Sequence, residues 1–92
     1  MNREAVLGVL RRTREWLARP DNNFLWSSWN DADAALREID AAIATLDTGG
    51  AIDLGDLRVL FAPTGPIQEV SVSSGWGDAF LELSEQFDAA MN

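Results

Sequence analysis

Side chains able to do chemistry are few in this 92-residue chain, and carboxylates dominate them. Three close pairs stand out: Asp31 with Asp33, Glu38 with Asp40, and Asp53 with Asp56. Paired carboxylates can share acid and base roles in hydrolysis or hold a hard cation. If Asp47 is taken as the first position of a calcium loop, the third, fifth and sixth are Gly49, Ala51 and Ile52. Liganding oxygens and a glycine are needed there, so no such loop is present. Aspartate at a helix start is ordinary capping. A second candidate is Thr64-Gly65-Pro66 leading into a helical pattern, whose N–H groups could hold a phosphate or carboxylate, with Thr64, Gly65 and Gln68 as ligands. Glu69 opposes an anion there, and turn chemistry explains the same residues. Ser73-Ser-Gly-Trp-Gly-Asp78 sets serines beside glycines but lacks the register of a nucleophile elbow.

Histidine, cysteine, lysine and tyrosine are all absent. The usual general base, the thiolate, the Schiff-base amine and the phenolic acid are therefore missing together. The expectation is a protein that is not an enzyme and uses no cofactor and no metal. Without cysteine there is no disulfide, which fits a reducing cytoplasm, and no apolar run approaches a membrane span. A cytoplasmic location is expected.

Charge is unevenly divided. Residues 1 to 19 carry five Arg against two Glu, or +3, and residues 20 to 92 carry two Arg against thirteen acids, or −11, giving −8 in all. A surface this negative repels nucleic acid and anionic lipid and steers toward a basic protein partner. Phe24, Leu25, Trp26 and Trp29 crowd a connector, where they either fold back as a lid on the core or leave a ring on the surface, and an exposed Trp is a common interface anchor. Phe24, Trp26, Asp31 and Asp33 are therefore the candidate partner-binding residues.

The elements that must position these groups read as helices. Val6, Leu10, Thr13 and Leu17 mark a first helix over 3–19, with Glu4, Arg11, Arg12, Glu15 and Arg19 on its solvent side and Pro20 ending it. Ser28, three residues before Asp31, suggests a capping box and a second helix over 29–47, whose stripe is Trp29, Ala32, Leu36, Ile39, Ile43 and Leu46. Gly49 and Gly50 stop it. A third, short helix runs to about Ala62 with Leu54, Leu57, Leu60 and Phe61 buried. Pro66 suits the first turn of a fourth. Val70-Ser-Val-Ser73 alternates like a strand, but a lone strand would leave its backbone groups unpaired, so 67–74 is read as helix. Gly75 then ends it, and Gly77 or Asp78 caps a fifth helix to about Ala90. Its core face is Phe80, Leu83, Phe87 and Met91, and Trp76 stapled to Leu81 would fix its entry.

The pattern Leu60-Phe-Ala-Pro-Thr-Gly-Pro-Ile-Gln-Glu69, followed by Ser74-Gly-Trp-Gly-Asp-Ala-Phe80 and Phe87-Asp88, is similar to one in short acidic, uncharacterised bacterial proteins. These resemble small cytoplasmic proteins encoded beside toxin or secretion genes. The resemblance implies a binding role such as immunity and brings no catalytic residues with it.

The reading is therefore an all-α fold, a single domain over 1–92 of about five helices, three longer and two short. Its expected function is non-enzymatic binding of a basic protein partner. The alternatives are a small-ligand or anion site at 64–69 and, behind it, a carboxylate enzyme. Monomer and homodimer both stay open.

Overall fold

Asn2 caps the first helix, its side chain accepting from the Ala5 N–H at 3.1 Å, and the helix runs until the chain breaks before Pro20. The computed structural model describes all 92 residues and contains α1 (Arg3–Leu17), α2 (Ala32–Asp47), α3 (Leu54–Phe61), α4 (Pro66–Ser74) and α5 (Gly77–Met91), with no strand. It is all-α. The β-branched run at 70–73 is helical because Val70 and Ser71 face the core together, which a two-residue alternation would not allow.

α1 is the central element. Its start lies by the end of α5, where the Asn2 N–H donates to the Ala90 carbonyl at 2.7 Å, and its end lies by the start of α5, where Trp16 stacks on Trp76. α5 is therefore antiparallel to it. α2 is antiparallel as well, since Arg3 near the start of α1 donates to the Leu46 carbonyl while Arg14 near its end pairs with Asp40. α4 packs on α5, and α3 packs on α4. Phe61 of α3 stacks on Phe87 of α5 with ring centroids 4.2 Å apart, closing one core fed by all five helices. The radius of gyration is 12.2 Å, against about 12.3 Å expected of a compact chain this long.

Several sequence expectations change. α2 begins at Ala32 rather than Trp29, because the Asp31 carboxylate accepts from the Ala34 N–H at 2.9 Å and makes Asp31, not Ser28, the N-cap. Trp29 is still buried, but from an irregular segment. The α2 stripe is less deeply covered than its periodicity suggests: Ala35, Ile39 and Leu46 are buried, whereas Ala32, Leu36 and Ile43 are only partly so. Leu54 is 42 % exposed because the first turn of α3 stands out into solvent. α5 begins at Gly77 with Trp76 in the N-cap position, which moves Leu81 one place past the staple position and leaves it 57 % exposed. No staple forms.

Candidate functional site

The connector between α1 and α2 is irregular, yet hydrogen bonds tie it down at Asn22, Asn23, Leu25, Ser27 and Trp29. Asn22 is the first tie. Its Nδ2 donates to the Trp16 carbonyl at 2.7 Å, and its Oδ1 accepts from Trp76 Nε1 at 2.8 Å. The Asn23 N–H donates to Ser74 Oγ at 2.8 Å, while Asn23 Oδ1 accepts from the Leu25 N–H at 2.9 Å in an Asx turn. Farther on, Ser27 Oγ donates to the Pro66 carbonyl at 3.5 Å and accepts from the Trp29 N–H at 3.1 Å. The segment therefore runs along α4, from Ser74 at its end to Pro66 at its start. Trp29 finishes the brace, its Nε1 donating to Glu38 Oε2 at 2.5 Å.

That bracing decides which aromatics are presented. Phe24 is half-buried and packs against the core, so it serves as an internal foot for the turn. Leu25 and Trp26 project instead, 77 % and 70 % exposed. Asp31 and Asp33 follow, both exposed, although one Asp31 oxygen is engaged in capping α2. Of the four partner-binding candidates, Trp26, Asp31 and Asp33 lie on the surface and Phe24 packs against the core. Leu25, not singled out from sequence, belongs with Trp26.

The carboxylate pairs are divided by structural roles. Asp40 takes Arg14 through two hydrogen bonds of 2.6 and 3.3 Å. The hydrogen bond to Asp40 first, and its charge second, hold the Arg14 guanidinium above its ordinary pKa. Asp53 caps α3 by accepting from the Asp56 N–H, and Glu38 accepts the Trp29 indole. Nowhere do three acidic side chains converge at metal-ligating distance. At the start of α4 the Thr64 N–H donates to Gln68 Oε1 and the Gly65 N–H donates to the Ala62 carbonyl at 2.9 Å. The Thr64 and Gly65 N–H groups are thus engaged within the turn, whereas the first-turn N–H groups of Ile67 and Gln68 have no partner within the protein. Thr64 sits at φ 63°, a costly conformation for a β-branched residue, held by these bonds and by its own Oγ1 donating to the Pro63 carbonyl at 2.5 Å.

A groove adjoins the braced turn. It lies between α2 and the α3–α4 pair, measures about 500 Å³ and is floored by Ala42, Ile52, Leu57 and Leu60, with Ser28 and Pro66 at its lining. Glu38 and Asp56 also line it, and no arginine does. Sequence reasoning missed this groove and the Trp16–Asn22–Trp76 tie, since both join residues far apart in the chain. No protein-family model, no curated protein and no solved structure matches this chain.

Proposed function

We propose that this protein is a non-enzymatic binding module, immunity- or inhibitor-like, that presents an acidic surface and the Leu25–Trp26 tip to a basic protein partner. The observation that carries the reading is the tip itself: two large apolar side chains held out in water by a hydrogen-bonded turn. Covering the Trp26 ring with a partner would contribute about 3 kcal/mol before ordering costs. Such an anchor is the usual centre of an interface hot spot.

The charge layout supports the sign of the partner. Five of the seven arginines are engaged within the protein: Arg3 on backbone carbonyls, Arg11 and Arg14 on aspartates, Arg12 on Gln86, and Arg19 over the Trp16 ring. Among fifteen carboxylates only Asp21, Asp40 and Asp47 have ion-pair partners, so twelve remain unpaired. Most of the arginines are thus engaged by groups of the protein, though at its surface, and most carboxylates have no such partner.

The test is capture from lysate of the source organism by tagged wild type and by a Trp26→Ala/Asp31→Asn/Asp33→Asn variant, at low and elevated salt. The expected outcome is one basic protein retained by wild type, weakened by salt and lost with the variant. Equal retention by both proteins would show that the surface is wrong.

A further inference from the structure

α2 packs on α1 along one flank, while its other flank stands off from α3 and α4 and borders the 500 Å³ groove. That volume is in the range of sites that take a few side chains or a small ligand. Its floor is aliphatic, and its two acids come from opposite walls, Glu38 from α2 and Asp56 from α3. Neither carboxylate belongs to any ion pair of the protein. The Trp29 indole holds Glu38 Oε2 and leaves Oε1 for a guest. A charged rim around an apolar floor, with no internal cation to balance it, is complementary to a cationic amphiphile.

We infer that the groove seats a short amphipathic basic helix of a partner protein, its apolar side chains at i and i+4 on Ala42, Leu57 and Leu60 and a Lys or Arg between Glu38 and Asp56. This rests on the reading of the protein as an acidic binding module and names what its partner presents. Charge selects the occupant. A second copy of this chain brings a net −8 and only Arg37 and Arg58 without an internal partner, so it is poorly matched to two more carboxylates. An anionic guest is repelled outright.

The probe is a synthetic Leu/Lys peptide of about 14 residues with leucines at helical spacing, titrated into the isotopically labelled protein and followed by amide chemical shifts. A Leu/Glu counterpart, octylamine, and dilution of the protein alone are the comparison arms. The expected result is shifts confined to Ala41, Ala42, Thr45, Ile52 and Leu57 with the Leu/Lys peptide and none with the Leu/Glu peptide. Asp56→Asn should weaken binding about fivefold, the upper range for an exposed pair. Ala41→Arg, at an exposed position on the groove wall, should weaken it as well while leaving the circular dichroism spectrum unchanged. Shifts scattered over Glu82, Glu85 and Asp88 would mean diffuse attraction and overturn the groove assignment. So would equal shifts with octylamine, which point to a small ligand, or shifts of the groove amides on dilution, which point to self-association. Should capture from lysate depend on the Trp26/Asp31/Asp33 surface while the peptide ignores the groove, the binding module stands and this inference falls.

Discussion

Trp26 and Trp76 carry the same indole into opposite situations. Trp76 is buried, stacks on Trp16 with centroids 5.2 Å apart and donates to Asn22, so it joins α1, α5 and the connector at one point. Replacing it with Ala removes core volume and strands the Asn22 carbonyl. Trp76→Ala should cost about 3 to 5 kcal/mol, read from the urea midpoint. Trp26 touches solvent over most of its surface, and Trp26→Ala should shift the same midpoint by no more than about 0.5 kcal/mol. A large loss there would mean that the tip is a lid on the core and not an anchor for a partner. Leu81 makes the third comparison: with no staple to break, Leu81→Ala should also be close to neutral.

At the scale of elements, two glycines with different surroundings separate propensity from close approach. Gly8 lies inside α1, and a Cβ there would meet only the far end of the long Arg12 side chain at 3.3 Å, whose bonds to Gln86 need shift only slightly. Gly8→Ala should stabilise the protein by about 0.5 to 1 kcal/mol through helix propensity. Gly65 faces backbone instead, its Cβ position lying 2.7 Å from the Val59 carbonyl oxygen and 2.8 Å from that of Ala62. Neither oxygen can move without opening the α3–α4 turn, so Gly65→Ala should destabilise by about 1 to 3 kcal/mol. Thermal melts of the two variants should move in opposite directions. Asp31→Ala tests the corrected start of α2: loss of about 1 kcal/mol is expected of an N-cap, whereas Ser28→Ala should leave the helix unchanged.

At the scale of the whole molecule, Arg3, Arg11, Arg12 and Arg14 clamp α1 to α2 and α5, and most carboxylates have no internal partner. Arg14 shows what this means for pH. Its folded pKa lies above the ordinary value, so its contribution to stability is fully present below that value and is lost only as pH rises into strong alkali. Histidine and cysteine, the side chains whose ordinary titration lies nearest neutrality, are absent. The urea midpoint should accordingly stay flat between about pH 6 and 9. Binding of the proposed basic partner, by contrast, should fall as salt rises, because the twelve unpaired carboxylates act through solvent over about a Debye length.

The all-α class, the end of α1 before Pro20, Pro66 in the first turn of α4 and the left-handed stop at Gly75 were legible in the sequence. Each depends on residues within a turn or two of one another, where periodicity, fixed φ and positive φ act locally. The aromatic crowding at 24–29 was legible too, with an outward-facing ring and a lid folded onto the core both open to it. Which ring faces outward was not, because that depends on Ser74 and Pro66 holding the connector along α4. Likewise, hydrophobic periodicity marked the α2 stripe but could not show that α2 leans on α1 and leaves a groove toward α3. The Trp16–Trp76 stack, the Phe61–Phe87 stack and the Arg14–Asp40 pair share that character. Local pattern chooses an element and its apolar face, and only the packing of distant elements decides which surfaces are left for a partner to cover.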